Sequence, residues 1–135
     1  GLHWNNKNNR TLLYNMNLSL VKKNIDLILV NGDARNEGIK TIRNNDFIAL
    51  GELKGGIDPA GADEHWKTAH SALNRIRSAF KSLSLTPKTF FVGAAIEKSM
   101  ASEIFNQLEN GELDNACNLN HEEQLFSICN WLINL

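Results

Sequence analysis

The order of apolar segments in this 135-residue chain predicts an α/β fold, a mixed central sheet flanked by helices. Three observations carry that reading. Apolar runs at residues 11–21, 24–31 and 46–54 are short enough for strands. A long stretch at 62–83 repeats its apolar residues in steps of three and four. A further apolar run at 88–96 separates it from two more helical patterns. The predicted order is strand-strand-strand-helix-strand-helix-helix.

Each element has a local reason. Residues 11–21, TLLYNMNLSLV, alternate in part, and NIDLILVN at 24–31 is a β-branched apolar run of the kind covered on both faces of a sheet. Asn31-Gly32-Asp33 signals a turn, and Gly38 a second loosening. The third strand, Asp46 to Lys54, is broken by Gly55-Gly56-Ile57-Asp58-Pro59. Trp66, Ala69, Leu73, Ile76, Phe80 and Leu83 then define one helical face, with Lys67, Ser71, Arg75, Ser78 and Lys81 on the solvent side. Pro87 ends the connection before KTFFVGAAI at 88–96; a helix at 97–110 closes on Gly111, and 121–135 form the last.

Length and composition are those of one domain, 42% hydrophobic and 21% charged, which excludes a disordered or fibrous chain. No apolar run approaches the roughly 20 residues of a membrane span. No signal-peptide pattern opens the sequence. Cys117 and Cys129 are read as reduced thiols, which favours a cytoplasmic protein. The net charge of −1 hides an asymmetry: residues 1–96 carry 13 Lys and Arg against 8 Asp and Glu, residues 97–135 carry 1 against 7. A nucleic-acid ligand would prefer the first part, and the acidic tail should face away from it. A chance imbalance in a neutral protein reads the same way.

The stretch Gly51–Leu73, GELKGGIDPAGADEHWKTAHSAL, carries the chemistry. Strand alternation sends Glu52 and Lys54 to one face, with Leu53 expected to point into the core. With Asp26 on a neighbouring strand, the two carboxylates can each offer an oxygen to Mg²⁺, and Lys54 can orient water or offset charge on phosphorus. An exposed Glu–Lys pair of little consequence is the plain alternative. Asp33 competes with Asp26 for the first carboxylate, although its place after Asn31-Gly32 suits a turn. His65, in the first turn of the long helix, is either a proton acceptor for water or a surface histidine. Asp58 and Asp63 suit helix capping, with Asp58 also placed as a partner of Lys54 or the metal. His70 points elsewhere than His65, so no zinc site forms with Asp63, and Trp66 reads as a core anchor. Lys67, Arg75 and Lys81 are phosphate contacts or a solvated face.

That stretch closely resembles the AvaI/BsoBI family of type II restriction endonucleases, members of the PD-(D/E)XK nuclease superfamily. The likeness extends more loosely through Arg10-Thr11-Leu12-Leu13-Tyr14 and Lys23 to Val30. It implies a restriction-endonuclease-like core of the order helix-strand-strand-strand-helix-strand, whose leading helix is absent from this chain. It implies that residues 1–135 are a single catalytic domain, the C-terminal portion of a larger enzyme. The Pro-Asp of the superfamily name is missing, since Asn24-Ile25 precede Asp26. The resemblance assigns catalysis to Asp26, Glu52, Lys54 and His65, and metal ligation to Asp26, Glu52 and the backbone carbonyl of Leu53. The implied reaction is Mg²⁺-dependent cleavage of double-stranded DNA by a homodimer, at degenerate palindromes of the C-Y-C-G-R-G type. Two other readings stand beside it: a repair or junction nuclease on the same fold, and a truncated remnant that does not cut.

Overall fold

A computed structural model describes residues 1–135. Six strands form one sheet in chain order: β1 Leu2–Asn5, β2 Asn9–Leu18, β3 Lys23–Asn31, β4 Phe47–Lys54, β5 Lys88–Gly93 and β6 Asn115–Asn118. β1 to β4 pair antiparallel, while β4, β5 and β6 run parallel. Parallel neighbours need crossovers, and α1 (Pro59–Lys81) and α2 (Lys98–Glu109) supply them; α3 (Glu122–Asn134) follows β6. The predicted mixed α/β sheet flanked by helices is the observed one.

α1 starts where its sequence dictates. Asp58 caps it by accepting from Ala60 N at 3.0 Å, and Pro59 fills the first position, where no N–H is needed. Its buried stripe is Ala62, Trp66, Ala69, Leu73, Ile76 and Phe80. These pack on Ile28, Leu50 and Phe91 of the sheet, joined by Met100 and Ile104 of α2. A smaller cluster lies on the other face, where Leu29, Ala49, Phe90, Val92 and Cys117 meet Ile128 and Leu132 of α3. Burying each large side chain contributes roughly 1.5–3 kcal/mol. Gly51 is dictated by this second cluster, because a Cβ there would stand 2.4 Å from the Phe90 ring.

Two strands were not foreseen. β1 lies in the polar Asn-rich lead, paired with β2 through Leu2↔Leu12 and Asn5↔Asn9. β6 is the four-residue Asn-Ala-Cys-Asn, without β-branched residues, and is recruited by pairing with β5. Its outward amides are closed from within: Asn115 Oδ1 accepts from Ala116 N at 2.8 Å, and Gln124 Oε1 from Asn118 N at 2.9 Å. β2 stops at Leu18, not residue 21, because Lys22 turns at φ 59°. β5 ends at Gly93, short of residue 96. Cys117 is buried, Cys129 exposed, and both are free thiols. No helix is long and apolar enough to cross a membrane.

Candidate active site

β3 and β4 separate at one end of the sheet. Their ladder runs from Val30↔Phe47 to Leu27↔Gly51 and stops. One step further, Asp26 stands opposite Glu52, and directly opposed residues of antiparallel strands share a face. β2 is irregular at the same level: Asn15, the counterpart of Asp26 in the β2–β3 register, has φ 48°, a conformation asparagine tolerates better than most residues.

In the gap a side chain replaces the ladder. Asp26 Oδ2 accepts the Leu53 N–H at 2.8 Å. A strand residue turns its N–H and C=O toward the same neighbour. The Lys54 carbonyl goes to β5, accepting from Ala94 N at 2.9 Å, so the Leu53 carbonyl faces the β3 side, where Asp26 lies. The Leu53 side chain does not enter the core as expected: it is 40% exposed, whereas Glu52 is only 5% exposed. α1 covers the face of β4 that carries Leu50 and Glu52, while the cluster under α3 takes Ala49 and Ile48 from β4 and leaves Leu53 uncovered.

Glu52 is the one carboxyl whose value is raised. Burial, then the nearby Asp26 charge, push its carboxyl up to about 7, against the opposing pull of Lys54 and Arg75. Lys54 Nζ stands 4.0 Å from Glu52 Oε2, and Glu52 Oε1 is buried with no hydrogen-bond partner. Asp26, Glu52 and Lys54 thus meet on the α1 face at the mouth of the gap.

His65 lies at the corner where β4 passes into α1. A Cβ on Gly56 would sit 2.5 Å from His65 Cε1 and 3.0 Å from Nδ1, so the imidazole packs on backbone that only glycine leaves clear. At about 100° per residue, His65 flanks the buried stripe of α1 on one side, and His70 and Arg77 on the other, while Arg75 starts from the solvent side. The second flank lies over β5, because Arg77 Nε donates to Thr89 Oγ1 at 3.3 Å. The first therefore overhangs β3 and β4. Arg75 is exposed, and its charge reaches Glu52, a role that assigning it to the solvent face missed. Its helical position gives no signal for this; only the length of the side chain carries the charge back to Glu52.

Other candidates resolve into structural roles. Asp33 clamps Arg35 through contacts of 2.9 and 2.6 Å, and that arginine holds its carboxyl well below the usual carboxylate range. It follows the far end of β3 from Asp26 and is a turn residue. Asp58 caps α1 and makes no ion pair with Lys54. Asp63 lies inside α1 rather than at its cap, bridged at 2.9 Å to Lys67, which also meets Glu64 at 3.6 Å and is thereby occupied. His70 stacks on Trp66, with ring centroids 5.4 Å apart, and faces Glu103 at 3.5 Å. Trp66 is wholly buried, as expected.

Comparison with known proteins fits this geometry. The family model described as restriction endonuclease BsobI matches residues 1–135. The chain is 60% identical over 139 residues to the type II restriction enzyme AvaI of Nostoc sp. (strain PCC 7120), covering 100% of this chain and 44% of that protein. AvaI of Anabaena variabilis gives the same values. The type II restriction enzyme BsoBI of Geobacillus stearothermophilus is 51% identical over 138 residues, with 43% of its length covered. The chain therefore spans less than half the length of these curated relatives, corresponding to their C-terminal part. With the whole chain matched by the family model and no gap left in coverage, it belongs to the BsoBI restriction endonuclease family.

Proposed function

We propose that residues 1–135 form the catalytic domain of a Mg²⁺-dependent type II restriction endonuclease, hydrolysing phosphodiester bonds of double-stranded DNA. The observation that carries this reading is a buried, unpartnered Glu52 oxygen facing a second carboxylate beside a lysine. A carboxylate left without a partner in a buried site costs stability unless something binds it. The donors suit a hard cation: Glu52 Oε1, the Asp26 oxygen not committed to Leu53, and the Leu53 carbonyl. Nowhere do three His, Cys, Asp or Glu side chains converge. Water would complete the coordination, the arrangement Mg²⁺ favours.

Bound there, Mg²⁺ supplies Lewis-acid polarisation of the scissile phosphate and acidifies a water. Lys54 offsets the negative charge that builds on phosphorus and orients the attacking oxygen. His65, held against Gly56, accepts the water's proton on a ring nitrogen. Arg75, whose charge reaches Glu52, steadies the incoming backbone phosphate. In-line attack leaves 5′-phosphate and 3′-hydroxyl ends.

The remaining length of the relatives supplies the elements that read bases, and a homodimer places two such sites on the dyad of a palindrome of the C-Y-C-G-R-G type. The working compartment is the cytoplasm. The test is Glu52→Ala in an enzyme that joins this chain to the remaining length its relatives carry. Cleavage of duplex DNA should fall by at least about 10³-fold while DNA binding persists. Full cleavage by that variant removes the assignment.

A further inference from the structure

The far end of α1 borders a second polar cavity that the proposed reaction does not use. It encloses about 420 Å³ between Arg77 and Lys81 of α1, Lys88 and Thr89 at the start of β5, and Glu112 and Asp114 between α2 and β6. Two nitrogens of the Arg77 guanidinium are committed: Nε donates to Thr89 Oγ1 at 3.3 Å and Nη1 to Asn74 Oδ1 at 2.9 Å. Nη2 is buried and finds no acceptor.

The neighbouring acids do not fill that vacancy. Asp114 Oδ2 accepts the Thr89 N–H at 2.8 Å, and its Oδ1 faces Lys88 Nζ at 3.5 Å. Glu112 Oε1 accepts from Asn110 Nδ2 at 3.0 Å, and its backbone carbonyl takes the Thr89 hydroxyl at 3.2 Å. Neither carboxylate forms an ion pair with Arg77, although both act on it through space. The walls keep a surplus of one positive charge, from Arg77, Lys81 and Lys88 against Glu112 and Asp114. Burial, which lowers the Arg77 value, exceeds the pull of the two acids. A half-buried arginine without a counterion is a group prepared for an anion brought from outside.

We propose that this cavity is a phosphate-binding site, anchored on the free edge of the Arg77 guanidinium with Lys81 and Lys88 at its mouth. The uncommitted Nη2 offers its N–H donors to phosphate oxygens, and the two lysines add charge without fixed geometry. A free phosphate and a phosphate of the DNA backbone share that chemistry. The site does not depend on the nuclease reading, because none of Asp26, Glu52, Lys54 or His65 lines its cavity.

The test follows the Arg77 Nε–H resonance of the isotope-labelled chain as inorganic phosphate is added at constant ionic strength. A saturable shift is expected. Arg77→Lys, which keeps the charge and loses the fork, should weaken binding about tenfold, read from the phosphorus resonance. Lys88→Gln, at an exposed rim position, should weaken it less and serves if Arg77 variants do not fold. Short duplex DNA that displaces phosphate identifies the DNA backbone as the source; duplex that leaves phosphate bound identifies free phosphate. No saturable shift in the parent chain, or equal affinity in the parent, Arg77→Lys and Lys88→Gln, overturns the proposal.

Discussion

Two acidic regions lie at opposite ends of β3, and they treat their carboxylates in opposite ways. Beyond its C-terminal end, Asp33 is clamped by Arg35 and Asp46 by Arg43, each arginine lowering its partner's carboxyl. At the other end, Glu52 is buried beside Asp26 with a lysine 4.0 Å away, and its carboxyl is raised to about 7. The first region has spent its charge on itself. The second keeps charge uncompensated, which is why the proposed cation site is placed there. Acid content alone would have ranked the two ends equally; burial and partners separate them.

The largest effect that sharpens this contrast is catalytic. In an enzyme containing the whole chain, His65→Ala should lower the cleavage rate by roughly 10²-fold or more with DNA affinity near that of the parent. Equal loss of affinity and rate would make His65 a phosphate contact. Next comes the metal. With the Glu52 carboxyl near 7, protons compete with Mg²⁺, so affinity of the chain should fall as pH drops through about 7. Calorimetry in buffers of different ionisation enthalpy would detect the released proton, and absence of release would break the link between Glu52 and metal.

Stability gives the third comparison. The folded value of about 7 exceeds the 4.5 of an unperturbed glutamate, so the folded state binds the proton more tightly. Stability is then fully present below about 4.5 and is lost as pH rises to about 7. Glu52→Gln removes that loss. Without metal, it should stabilise the chain by ~2 kcal/mol above pH 7, and the gain should vanish in acid, as denaturant melts at two pH values will show. The smallest effect belongs to the other end. Asp33→Asn should leave Mg²⁺ affinity unchanged, and any drop would return Asp33 to the site.

How much of this was legible follows from what each signal needs. The β4–α1 unit was readable because glycines, Asp58-Pro59 and a six-residue apolar stripe are local. Glu52 and Lys54 could be grouped because they stand two apart at the end of β4, and Asp26 because it lies on a neighbouring apolar run. Which face of β4 is covered is not local, and Leu53 was assigned inward for that reason. β1 and β6 were missed because their pairing partners, not their composition, make them strands. Arg75 escaped because helical position fixes where Cα lies, while the guanidinium acts a full side chain away.

The two borders of the sheet also differ, and the difference gives the sheet a direction of growth. On β6 the outward amides of Ala116 and Asn118 are already spoken for by Asn115 and Gln124. A further strand laid there would first have to evict two side chains. β1 pairs only with β2, and no side-chain hydrogen bond closes its outward backbone as Asn115 and Gln124 close that of β6. Extension of the sheet, whether by more polypeptide or by another molecule's strand, is steered to the β1 margin. The margin beside α2 and the acidic residues of α3 remains closed to it.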